Sequence, residues 1–263
     1  MIFCIPEFLS YPIFNNMISN AIKNYLKDKP FHAVDLKAVL FDMDGVLYDS
    51  MSNHAAAWVK TMSGLGVPFS AEEAYLHEGR TGEGTINIAF QRAFGRSVTK
   101  EEAAKIYGIK SACFNDCPQA EVMPGIVELL KKVKAAGLQP MLVTGSGQKS
   151  LLDRLNMHFP DTFKRELMIT ADDVIHGKPH PEPYLKALQK GRFKPEEAIV
   201  VENAPLGVES AHRAGIFTVA VNTGPLNDRV LFDAGADLLF ADMPSFCDNW
   251  EALWSALKTT RKE

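Results

Sequence analysis

The run Ala38-Val39-Leu40-Phe41 constrains this chain more than any other stretch. Four consecutive apolar residues with no polar alternation predict a strand buried on both faces, as in a parallel sheet covered by helices. Directly past its end stand Asp42 and Asp44, followed by Gly45. Ligands of an open parallel sheet sit outside the carboxyl ends of its strands, which is where these carboxylates fall. Two like charges placed there repel each other unless a cation lies between them, and carboxylate and carbonyl oxygens suit Mg²⁺.

The remainder of the chain alternates between two patterns. From Asn53 to Leu65 the apolar residues Ala55, Trp58, Val59, Met62 and Leu65 recur at helical spacing. Ser70-Ala-Glu-Glu73 predicts a capping box, and Gly84 to Phe94 and Thr99 to Phe114 predict two further helices. Residues 52–118 are thus expected to form an all-helical domain inserted after the first strand. From Pro124 onward, strands are predicted at Met141–Val143, Leu167–Ile169, Ala198–Val201, Phe217–Val221 and Asp237–Phe240, with helices between them. Repeated strand–helix units predict an α/β fold with a doubly wound, mainly parallel sheet. The expected division is an extension over residues 1–36, a core over 37–51 and 119–263, and the helical insert over 52–118.

A net charge of −4 gives no electrostatic case for nucleic acid as a partner. Four cysteines, Cys4, Cys113, Cys117 and Cys247, are sparse, as suits a reducing cytoplasm. The first 26 residues are apolar but are broken by Pro6, Glu7 and Pro12, which fits neither a signal peptide nor a membrane span. Across their end, Ser19 to Lys29 predicts a short amphipathic helix with Ile22 and Leu26 on one face. The extension is expected to pack on the surface or to be loosely ordered, and to carry no chemistry.

Four polar clusters follow predicted strands or loops: Asp42/Asp44, Thr144/Ser146, Lys178 and Glu202/Asn203. Singly each has a plain structural explanation, as a helix cap, a solvated lysine or a turn. In this order they are hard to explain as packing. Asp42-Met-Asp44-Gly-Val-Leu, Val143-Thr144-Gly-Ser, Gly177-Lys178-Pro and Val201-Glu202-Asn203 with Gly207 resemble the four motifs of the haloacid dehalogenase (HAD) superfamily. The likeness spans residues 37 to about 240, and the insert resembles the mobile cap of the β-phosphoglucomutase-like subclass. This resemblance implies a HAD-like Rossmannoid core and a small phosphorylated substrate. It implies Asp42 as the nucleophile that forms an aspartyl-phosphate, Asp44 as the acid and base, and Lys178 as the charge balance. Thr144, Gly145 and Ser146 would bind the transferring phosphoryl group, and Mg²⁺ would be held by Asp42, Asp44 and the last motif. Cap movement is expected about hinges near Ser50 and Met123.

Two departures from the family pattern bear on the substrate. Asn203 stands where most relatives carry Asp, so the site loses one negative charge, which Glu202 restores in part through a bound water. In the cap, His77-Glu78-Gly79-Arg80-Thr81 falls where this subclass reaches down to the active site. Glu78 is expected to ligate the metal on closure; the alternative is an acidic residue that caps or solvates a helix end. Arg80, with Thr81 beside it, suits a second phosphate, because guanidinium binds phosphate oxygens in bidentate fashion. Residues 78–82 and 202–207 also look similar to the inorganic pyrophosphatases of this subclass. The expected protein is therefore a cytoplasmic, monomeric, Mg²⁺-dependent pyrophosphatase with no membrane partner. A β-phosphoglucomutase, a small sugar-phosphate phosphatase and a non-catalytic binding module are the alternatives.

Overall fold

A computed structural model describes residues 11–146 and 149–262. Among them, the strands are β1 (Ala38–Phe41), β2 (Tyr48–Asp49), β3 (Glu121–Val122), β4 (Gln139–Leu142), β5 (Ala198–Glu202), β6 (Phe217–Val221) and β7 (Leu238–Phe240). Five of them form a parallel sheet in the order β4-β1-β5-β6-β7. All four residues of β1 are buried, as their unbroken apolar run requires. Phe41 pairs with Leu142 on one side and Val201 on the other, so β1 and β4 end level and β5 runs one residue further. That register brings Asp42, Thr144 and Glu202 to one edge of the sheet.

The helices are α1 (Tyr11–Leu26), α2 (Met51–Gly64), α3 (Ala71–Leu76), α4 (Gly82–Phe94), α5 (Lys100–Asn115), α6 (Ile126–Ala135), α7 (Lys149–His158), α8 (Glu182–Gly191), α9 (Pro205–Arg213), α10 (Asp228–Asp233), α11 (Met243–Asp248) and α12 (Trp250–Thr259). Helices α2 to α5 make up the insert and share a core of their own, built on Trp58, Met62, Phe69, Ile86, Phe90 and Ile106. Thr99 and Glu102 cap α5 reciprocally. The box expected at Ser70 is only half formed. Its hydroxyl accepts from Glu73 N at 3.0 Å, but the Glu73 carboxylate turns to Arg92 at 2.5 Å.

Three elements differ from expectation. Leu167–Ile169 is not a strand: a 3-10 turn covers Arg165–Leu167, and only Ile169 bridges to Val143. The next turn ends the pairing at once, since Thr170 N and Oγ1 both donate to Asp173 Oδ2. The antiparallel pair β2–β3 ties the two connections between core and insert side by side, next to the expected hinge positions. In the amino-terminal extension the expected helix with Ile22 and Leu26 on one face is present, but it starts earlier and packs into the core. Helix α1 packs on α12, and its Ile18, Ile22 and Leu26 are fully buried in the main core cluster. Burying such side chains contributes roughly 1.5–3 kcal/mol each, so the described part of the extension belongs to the fold. Residues 1–10, including Cys4, lie outside the described residues. Among the described residues, no helix is long and apolar enough to cross a membrane.

Candidate active site

Asp42 follows β1 directly and remains held to the sheet, its N–H donating to Val201 O at 3.0 Å. Gly45 turns the chain with φ +82°, and a side chain there would meet Asn203 Nδ2 at 2.1 Å. The turn thus needs a glycine on two counts, backbone conformation and close approach. It places Asp42, Asp44 and Asn203 around one point.

Lys178 joins the strands from the loop before α8. Its Nζ donates to Asp42 Oδ1 at 2.5 Å, to Glu202 Oε1 at 2.6 Å and to Val143 O at 3.1 Å. Burial works against the ammonium, but the Asp42 and Glu202 carboxylates outweigh it and raise its pKa. Glu202 is fully committed to the protein. Tyr184 Oη donates to Oε1 at 2.8 Å, and the N–H groups of Asn203 and Ala204 donate to Oε2 at 3.0 and 3.1 Å. Both of its oxygens are therefore engaged in fixing Lys178 and the strand end.

The insert reaches this centre through the loop after α3. Both Glu78 carboxylate oxygens accept from Asn203 Nδ2, each at 3.2 Å. Burial, then the negative charges of Asp42, Glu202 and Asp44, push the Glu78 carboxyl well above its ordinary value. The same crowding acts on Asp42, which burial raises to about 8 against the opposing pull of Lys178. Closure of this loop depends on Gly145, where a side chain would meet Gly79 O at 2.5 Å.

A second set of residues, to which the sequence reading gave no part in the site, surrounds Asp44. Ser50 Oγ donates to Asp44 Oδ1 at 2.5 Å, and His54 Nε2 lies 3.0 Å from the same oxygen. Lys110 Nζ lies 2.7 Å from His54 Nδ1. A lysine only donates, so Nδ1 accepts and Nε2 carries the proton that His54 gives to Asp44. Burial opposes the Asp44 carboxylate, yet His54, Ser50 and Lys110 together hold it down to about 2. No motif signals these residues, since His54 and Lys110 are 56 positions apart. The one hint is a histidine and a lysine placed beside the apolar faces of two helices.

The cavity between insert and core measures about 50 Å³, and Asp42, Asp44, Glu78, Arg80, Thr144, Gly145 and Ser146 all line it. Thr144 Oγ1 accepts from Ser146 N at 2.9 Å, which shapes the loop after β4. Thr81 is not in this cavity; it caps α4, its Oγ1 accepting from Gly84 N at 3.2 Å. Four carboxylates, Asp42, Asp44, Glu78 and Glu202, are buried here beside two lysines. Among the described residues, no three His, Cys, Asp or Glu side chains are grouped as a metal site. The donor chemistry nevertheless suits Mg²⁺, because Asn203 Oδ1 is buried without a partner amid excess negative charge.

The haloacid dehalogenase-like hydrolase family model matches residues 39–221. A validoxylamine A 7'-phosphate phosphatase of Streptomyces hygroscopicus is 32% identical over 207 residues, covering 79% of this chain and 94% of that protein. A phosphorylated carbohydrates phosphatase of Thermotoga maritima is 30% identical over 206 residues, covering 76% and 92%. A solved structure from Bacteroides vulgatus, described as a "putative beta-phosphoglucomutase", is 60% identical with a TM-score of 0.90, covering 93% of this chain and 100% of that one.

Proposed function

The chain belongs to the haloacid dehalogenase-like hydrolase family, and from that premise we propose that it is a Mg²⁺-dependent phosphohydrolase acting on inorganic pyrophosphate. Asp42 attacks phosphorus and forms an aspartyl-phosphate, while Asp44, ionised before substrate binds, takes up a proton with the incoming polyanion, hands it to the leaving oxygen and then takes one from the attacking water. The chain of Lys110, His54 and Ser50 on Asp44 Oδ1 orients that carboxyl and leaves Oδ2 for the proton. Lys178 faces Asp42 and holds charge balance as the phosphoryl group arrives. Thr144 and the N–H groups of the loop after it receive the phosphoryl oxygens. Asp42, the Asp44 carbonyl, Asn203 and Glu78 would hold Mg²⁺, which supplies neutralisation of the phosphoryl charge. Glu202 acts through Lys178.

One observation carries the choice of substrate: the cap carboxylate of Glu78, held by Asn203, lines a cavity of about 50 Å³. That space is of the order of a few waters. It favours a small inorganic substrate over a hexose ring while the cap is docked. A sugar-phosphate substrate is the second reading, favoured by the names of the carbohydrate-phosphate relatives and of the mutase-like structure.

Phosphate release from pyrophosphate and from hexose phosphates, with and without Mg²⁺, decides between them. The expected result is a Mg²⁺-dependent kcat/KM at least about tenfold higher for pyrophosphate. Faster release from any hexose phosphate, or isomerisation of one, overturns the choice. Glu78→Gln is expected to raise the Mg²⁺ concentration for half-maximal turnover by roughly 10-fold or more. An unchanged metal requirement would remove Glu78 from the site.

A further inference from the structure

A second cavity of about 330 Å³ opens where the cap meets the core. Arg80 lines both this cavity and the catalytic one, so the two share a wall. Its Nε is buried and has no hydrogen-bond partner. Across from it stand His176, Lys178, His180 and Arg213. His180 Nδ1 accepts from Glu182 N at 3.1 Å, so its proton is on Nε2 and is available as a donor. The His176 and His180 rings lie 4.7 Å apart.

The acidic groups nearby do not fill this space. Glu209 pairs with Arg213 at 2.8 Å, with the arginine side chain 53% exposed, and such pairs hold weakly. Glu182 is occupied by the N–H groups of Ile175 and His176 and by Lys186. A concavity with two guanidiniums and two imidazoles, faced among the described residues by Glu209 alone, which reaches both Arg80 and Arg213, keeps an excess of donors suited to a small oxyanion.

We propose that this seam is a second phosphate-binding site, distinct from the site of phosphoryl transfer, which takes inorganic phosphate as it leaves past Arg80. The proposal rests on the phosphohydrolase reading only for the identity of the anion. Its walls belong to both domains: Arg80, Thr81 and Gly84 come from the cap, and residues 175–180 and Arg213 from the core. Thr81 Cγ2 closes on Gly177 so tightly that a side chain there would meet it at 2.6 Å. The site is complete only with the cap docked, so phosphate bound in it favours the closed form.

Calorimetric titration of inorganic phosphate into the full chain with Mg²⁺ tests this, because no substrate is turned over. Two phosphates per chain are expected, falling to one in the double variant Arg213→Gln/His180→Gln. The phosphate that is lost should be the one that raises hydrogen-exchange protection in both residues 79–84 and residues 175–180. One phosphate per chain in the unmodified protein, or two in the variant, overturns the proposal. Should loss of the His180 contact to α8 impair folding, Arg213→Glu alone is expected to weaken the second phosphate by roughly tenfold; unchanged affinity also overturns it. A failed preference for pyrophosphate in the substrate panel would leave this titration unaltered, so the two readings fail separately.

Discussion

Lys110 of the cap and Lys178 of the core are each 1% exposed, yet they are kept in the interior by opposite means. Lys178 lies between the Asp42 and Glu202 carboxylates, and its pKa rises. Lys110 sits 5.4 Å from the Trp58 ring, 5.8 Å from Tyr107 and 5.0 Å from Phe114, and donates to a neutral imidazole. Burial lowers its pKa to about 8, against the pull of Asp44. Carboxylates make one ammonium a fixed charge, while aromatic faces hold the other more loosely. In the proposed reaction the fixed charge stands at the nucleophile, where phosphoryl transfer needs constant neutralisation. The looser one stands behind the proposed acid and base, where a proton must come and go.

Removing Lys178 should have the largest effect. Lys178→Ala leaves two buried carboxylates facing each other, so stability should fall by about 3–5 kcal/mol and kcat by a factor on the order of 10³. Denaturant melts and turnover check this, and a stable, active variant would break the contrast between the two lysines. Lys110→Met should leave stability within about 1.5 kcal/mol, because methionine fills the aromatic cage. Its turnover should fall by roughly 10- to 100-fold. Asp44 then loses part of what holds its pKa down, so the limb of the pH–rate profile that Asp44 sets should move to higher pH. A limb that stays in place would detach Lys110 from Asp44.

The last prediction concerns the metal-free protein. Burial raises Asp42 from 3.8 to about 8, so the folded state binds more protons than the unfolded state between those values. Stability of the chelator-treated protein should therefore fall as pH rises through that window, and added Mg²⁺ should flatten the slope. Thermal melts at several pH values measure it. A slope of the opposite sign would mean that Lys178 alone compensates the site.

Much of the core was legible in the sequence because its signals are local. An unbroken apolar run fixed β1, and the strand-end clusters at Asp42, Thr144 and Glu202 converge because the parallel strands run in register. The sequence could also place Glu78 and Asn203 in its list of unusual residues. It could not show that they touch, since 125 positions separate them. The same limit hid the Lys110–His54–Asp44 chain, the commitment of Glu202 to Lys178, and the burial of α1 against α12.

By itself, then, the sequence determined the sheet, the helical insert and the Asp42 and Asp44 pair, since apolar period and turn chemistry act over a few residues. Only the tertiary structure decided which charges meet. Glycines at 79, 145 and 177 let the cap loop settle on the core, and that contact makes one carboxylate, Glu78, part of a centre begun at Asp42 and Asp44. Desolvation and charge act through space, so the character of these groups was set by neighbours distant in the chain.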